Sequence, residues 1–141
     1  MLRMKRDRIY IDTSIIGGYF DIEFENETKQ LFNRLKENKV KFVISDLLEI
    51  ELQRAPERVR KLLLNYPNES FEVVRLSNEA KELGEMYIEE KVVGKTSIDD
   101  CYHIAMATVN NVDVLASWNF KHIVNLSRIK GYNAVNLKNG Y

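Results

Sequence analysis

A disulfide framework is absent: Cys101 is the single cysteine among 141 residues, so no intramolecular bridge can form, and a reducing cytoplasm is the expected compartment. Long apolar runs are missing too. Runs such as Leu62-Leu63-Leu64 fall far short of the roughly 20 residues that cross a bilayer, so neither a membrane span nor a secretory leader is expected. Nor is there an excess of charge: 21 Lys and Arg balance 21 Asp and Glu. That balance argues against binding nucleic acid by bulk electrostatics alone, and leaves room for a local basic surface or for a metal that supplies positive charge. With two prolines and six glycines scattered along the chain, there is no linker, low-complexity tract or solenoid repeat. One domain over residues 1–141 is expected, large enough to bury about two-thirds of its unfolded surface.

What is present is an alternation. Short β-branched or apolar runs, Arg8–Ile11, Lys41–Ile44, Phe71–Leu76 and Val112–Ala116, read as strands. Between them Thr28–Asn38, Asp46–Asn65 with Pro56 dividing it, Asn78–Glu90 and Ser97–Asn110 have helical period, several with a Ser, Asp or Asn at the cap position. Strand and helix in this order predict an α/β three-layer sandwich, a central parallel sheet with helices on both faces. Ligands of such sheets bind beyond the carboxyl ends of the strands, near a switch in strand order. Three of those ends are polar: Asp12-Thr13-Ser14, Ser45-Asp46 and Ser117-Trp118-Asn119.

Two motifs point elsewhere and do not hold up. Gly94-Lys95-Thr96 has the tail of a phosphate-binding loop, but the glycine required five residues before Gly94 is Glu89, and a charged segment of helical period precedes it. A helix end, a glycine turn and a Thr/Ser cap describe it better. Cys101, His103 and His122 match no zinc spacing, and packed or hydrogen-bonded histidines are the better default.

The carboxylates carry more. Asp12 ends a hydrophobic strand, where a buried charge needs a cation or hydrogen bonds; capping the next turn is the alternative reading. Asp46, Glu49 and Glu51 compete at the second strand end. Glu49 and Glu51 lie about 200° apart around a helix, so only one can face the sheet end. Asp99 and Asp100 open a helix whose dipole favours both. Acids converging on one edge of a parallel sheet make an oxygen-ligand site for Mg2+ or Mn2+, and without a cation they repel one another. With one or two ions bound, such a cluster hydrolyses phosphate esters.

Four stretches in order, Tyr10-Ile11-Asp12-Thr13-Ser14, Ser45 to Leu52, Asp100-Cys101-Tyr102-His103-Ile104-Ala105-Met106-Ala107 and Ser117-Trp118-Asn119-Phe120-Lys121-His122-Ile123, give the chain a family likeness. It resembles PIN-domain proteins of the VapC-like toxin group. The resemblance implies a metal-dependent ribonuclease on a Rossmann-like sandwich, a homodimer silenced by a small antitoxin, with Asp12, Glu51 and Asp100 as its catalytic acids and metal ligands. Asp99 is the lesser candidate beside Asp100. At Asn119 many members have an aspartate; an amide is a weaker, neutral ligand, which bears on the second metal and leaves Asn119 to orient water or simply to turn the chain. Similar proteins also continue past a Gly-Tyr like Gly140-Tyr141 into a last edge strand. Ser14 and His103 are further candidates to orient groups around the acids. Lys121, His122 and Lys95, with Lys91 and Arg128, are candidates for holding an RNA backbone. Tyr19 and Phe20, expected to be exposed, would suit a partner helix or second subunit. The competing reading keeps the fold as a module that binds RNA or a protein without cutting. A phosphotransferase using Asp12 as nucleophile would need an aspartate where Ser14 stands.

Overall fold

The structure, a computed structural model, describes residues 5–141. Its elements are β1 (Asp7–Ile11), α1 (Thr13–Gly18), α2 (Glu25–Lys36), β2 (Val40–Ser45), α3 (Asp46–Leu52), α4 (Glu57–Lys61), β3 (Phe71–Val74), α5 (Asn78–Glu89), α6 (Ile98–Val109), β4 (Val114–Ala116) and α7 (Leu126–Lys138). The strands form one parallel sheet in the order β3-β2-β1-β4. Tyr10 stands opposite Val43 and Leu115, and Ser45 opposite Val74. The chain winds outward from β1 to β3 and then crosses to the far side of β1, so the order switches between β1 and β4. A crevice at the strand ends is expected there.

Side chains alternate across a strand, and this sorts the core into two layers. Ile9, Ile11, Phe42 and Ile44 pack with Ile15, Phe32, Leu35 and Leu48 from α1, α2 and α3. Tyr10, Val43 and Val74 face the other way and pack with Leu83, Tyr87, Ile104, Met106 and Val135 from α5, α6 and α7. Each fully buried Ile, Leu or Phe contributes about 1.5–3 kcal/mol, so the two layers are the main source of stability.

The caps follow from the sequence. Ser45, Ser77 and Asn125 accept the amides of Leu48, Ala80 and Arg128 at the starts of α3, α5 and α7. Pro56 separates α3 from α4 as expected, because its ring cannot continue a helix. Two helices were not expected: the six-residue α1, too short for a periodic pattern, and α7, whose weak amphipathicity hides it. The helix expected from Thr28 starts a turn earlier, at Glu25. The cap expected at Ser97 is not made; a 3-10 turn over Lys95–Ser97 leads into α6 instead. The left-handed residue of that connection is Lys91, with φ 61°, rather than Gly94. Tyr19 and Phe20 are not free surface. Both are half-buried, and Tyr19 meets Phe32 edge-on at 5.3 Å, because α1 lays them against the α2 layer. No helix among the described residues is long and apolar enough to cross a membrane.

Candidate carboxylate site at the strand ends

Asp12 follows the last residue of β1 and is 5% exposed. Its Oδ1 accepts the Ser14 hydroxyl at 2.6 Å and the Ile15 amide at 3.3 Å, which caps α1. Its Oδ2 accepts the Ser117 hydroxyl at 2.5 Å, from the end of β4. Both readings of Asp12 therefore hold at once: it is a cap and a buried acid. All its donors are neutral, and burial pushes its carboxyl above the ordinary aspartate value despite the opposing Ser117 and Ser14 hydroxyls.

At the second strand end the three competing acids separate. Asp46 is committed to backbone, accepting the Leu47 amide at 2.9 Å and the Leu76 amide at 3.0 Å. Glu49 is exposed. Glu51 turns toward β1, where its Oε1 accepts the Thr13 hydroxyl at 2.7 Å and lies 2.7 Å from His103 Nε2.

His103 is 2% exposed, and its Nδ1 lies 2.6 Å from the Tyr10 hydroxyl, itself 3.0 Å from Ser45 Oγ. Since a carboxylate only accepts, Nε2 carries the proton and donates to Glu51. Burial alone would push Glu51 up, but the hydrogen bond and charge of His103, with the Thr13 hydroxyl, hold it below the ordinary glutamate value. A polar chain thus runs from the cap of α3 through β1 and α6 to Glu51. His103, a candidate to orient groups around the acids, lies against Glu51 of α3 rather than Asp100 of its own helix. Tyr10 and Thr13 were not anticipated, although a tyrosine in a buried strand signals a hydroxyl in need of a partner.

Asp100, half-buried in the first turn of α6, has its Oδ2 3.0 Å from His122 Nδ1. The His122 amide donates to Asn119 Oδ1 at 2.9 Å, and Tyr132 donates to the His122 carbonyl at 2.6 Å. Asn119 is thereby the residue that turns the chain after β4, and His122 faces Asp100 rather than lying free on a basic rim. Asp99 is exposed. The two histidines serve different carboxylates, and Cys101 is buried with its thiol pushed up to about 12 by burial, so the zinc reading has no geometry behind it. Lys95 and Lys121 are exposed and make no ion pair among the described residues. Lys91, Lys95 and Arg128 line one open groove, where Arg128 donates to the Val92 carbonyl at 2.8 Å.

Asp12, Glu51 and Asp100 thus belong to one end of the sheet, yet each is held by its own partners. Among the described residues no three His, Cys, Asp or Glu side chains are gathered closely enough to hold a metal ion. The donor chemistry nonetheless suits a hard divalent cation: three carboxylates, one of them buried, with no Lys or Arg against any of them among the described residues.

Against solved structures the chain is similar to VapC20 of Mycobacterium tuberculosis, a sarcin-ricin loop cleaving toxin, with a TM-score of 0.61 and 12% identity over 80% of this chain and 91% of that one. It is also similar to VapBC2 of Rickettsia felis, solved bound to a promoter DNA fragment, with a TM-score of 0.53 and 13% identity over 81% of this chain and 91% of that one. At such identities the likeness is one of fold. No curated protein matches the sequence. The PIN domain family model matches residues 9–121, a span that runs from β1 past Asp12, Glu51, Asp100 and Asn119. The chain belongs to the PIN domain family.

Proposed function

We propose that this protein is a divalent-metal-dependent endoribonuclease that hydrolyses RNA phosphodiester bonds at Asp12, Glu51 and Asp100. The observation that carries the reading is Asp12: a carboxylate buried at the switch point of a parallel sheet, bonded only by neutral donors. A protein keeps such a group where its charge is completed by something it binds.

Asp12, Glu51 and Asp100 would hold Mg2+ or Mn2+. When bound, such an ion activates water and stabilises the leaving oxygen of a phosphodiester. The surrounding residues orient the acids. Ser14 and Ser117 fix the two oxygens of Asp12 from opposite sides. His103 and Thr13 both bond Oε1 of Glu51, leaving Oε2 without a protein donor among the described residues. His122 holds one oxygen of Asp100, and Asn119 holds His122 by its amide. The exposed Lys95 and Lys121 offer contacts to the RNA backbone, which position substrate without reading its sequence. A role as the toxin of a toxin–antitoxin pair, silenced by a small partner, rests on the shared fold with VapC20 and VapBC2.

The test is incubation of the purified protein with a mixed RNA pool in Mg2+, Mn2+ or EDTA, beside folded Asp12→Asn and Asp100→Asn variants. Cleavage that needs the metal and falls about 1000-fold or more in both variants is expected. One observation favours a module that binds without cutting: the three acids are held apart. If wild type and variants all fail to cut and all bind Mn2+ equally weakly, the acids are structural and that reading takes the lead.

A further inference from the structure

Beside the acids lies a group of aromatic rings that the hydrolytic chemistry does not use. Phe24 and Trp118 are stacked, with centroids 4.6 Å apart and planes 16° from parallel. Phe120 leans on both, 6.0 Å from Phe24 and 6.1 Å from Trp118, and is 52% exposed. The group is built rather than incidental. The Trp118 indole donates to Thr28 Oγ1 at 3.0 Å, and its ring lies over Gly18, where an added Cβ would come within 2.6 Å of Nε1. The Trp118 amide donates to Ser14 Oγ, the same hydroxyl that bonds Asp12, and Ser117, the other hydroxyl on Asp12, is the preceding residue. Thus the rings are fixed to the groups that fix the catalytic carboxylate. Phe120, a large half-exposed ring, is followed by the exposed Lys121.

We infer that Phe120, backed by Trp118 and Phe24, is a stacking platform for an unpaired nucleobase next to the cleaved phosphate, with Lys121 on the adjoining backbone. An exposed π-face beside a cation is how single strands are held without sequence-specific hydrogen bonds, because every base has a face to stack. A paired base has no free face to offer, so the platform selects single-stranded or looped RNA over duplex. The inference deepens the ribonuclease reading and rests on it for the identity of the ligand.

Trp118 is the only tryptophan in the chain, so its fluorescence reports directly on the platform. Binding is measured in EDTA, without turnover, by titrating the full-length protein with short single-stranded oligoribonucleotides and with the same sequence as a duplex. Single strands are expected to quench Trp118, and the duplex to do so much less. Phe120→Leu, which keeps apolar bulk without a π-face, is expected to weaken single-strand binding about tenfold, while Phe120→Tyr restores it. The slope of affinity against salt should stay unchanged in Phe120→Leu and fall in Lys121→Ala, since only the lysine contributes a phosphate contact. Binding without quenching, or equal affinity in Phe120→Leu and wild type, overturns the platform. So does a Trp118 signal that depends on protein concentration and ignores RNA, which would assign the rings to self-association. Quenching that persists in a protein that never cleaves RNA in any metal would instead break the hydrolase reading and leave the platform standing.

Discussion

The two ends of the sheet treat acids differently. At the amino ends of the strands, the Arg8 guanidinium bonds both oxygens of Glu72 at 2.8 Å and also reaches the carbonyls of Asn110 and Asn111. Asp113 accepts the Arg8 amide at 2.8 Å. Glu72 is held below the ordinary glutamate value by that Arg8 hydrogen bond, and the pair clips β1 to β3 across β2. At the carboxyl ends, Asp12, Glu51 and Asp100 meet hydroxyls, amides and imidazoles, with no Lys or Arg ion pair among the described residues. Glu72, which serves the sheet, thus has its cation built in. Glu51 and Asp100 have only an imidazole beside them and Asp12 only neutral donors, and the proposed metal site rests on that contrast.

The contrast can be broken at three residues and sharpened by pH. The largest effect is expected at His103, which sits between two polar partners in the core. His103→Ala leaves Tyr10 with Ser45 alone and Glu51 with Thr13 alone and opens a buried cavity, and should cost about 3 kcal/mol in urea unfolding, with His103→Gln recovering part of it. Next is Asp12→Asn. Removing a buried charge that no Lys or Arg balances should raise stability by about 1–2 kcal/mol while cleavage is lost, the opposite signs that mark a site kept for function. Unfolding and RNA cleavage measured on the same preparation check this. Arg8→Met, at the structural end, should lower stability by about 1 kcal/mol because its pair is partly exposed, and should leave cleavage unchanged.

The smallest effect is in pH. Asp12 is raised on folding, so the folded chain holds its proton longer and its contribution to stability declines as pH climbs from the unfolded to the folded value. Glu51 is lowered, so its contribution is present above the unfolded value and lost as pH falls through the folded one. The stability gained by Asp12→Asn should therefore be smallest in acid and grow through the carboxylate range before levelling off. A gain independent of pH would show that Asp12 carries no buried charge.

Much of this was legible in the chain. Short β-branched or apolar runs marked four strands, and their regular alternation with helices implied that the sheet is parallel, though not its strand order. Asp12 was marked by its place at the end of a buried strand, whereas Asp100 was told from Asp99 only by the family likeness, since both open the same helix. Glu51 was not marked by position, because Asp46, Glu49 and Glu51 lie within one turn and a half of helix, and spacing cannot say which faces the sheet end. The short α1 was illegible for a related reason, as six residues are too few to show a period. The aromatic group escaped entirely, since Phe24 and Trp118 are 94 positions apart and nothing local announces that they stack.

Sequence by itself determined the four strands, the longer amphipathic helices, the parallel sheet covered on both faces and the place of Asp12 at the end of the first strand, because those depend on local pattern and on the burial of alternating side chains. Only the tertiary structure decided what each polar group touches. It set His103 on Glu51, Ser117 on Asp12 and His122 on Asp100, and sent Arg8 to the far end of the sheet. Hydrogen bonds and ion pairs act over about 3–4 Å, so their partners are chosen by which strands and helices the fold brings together and not by distance along the chain.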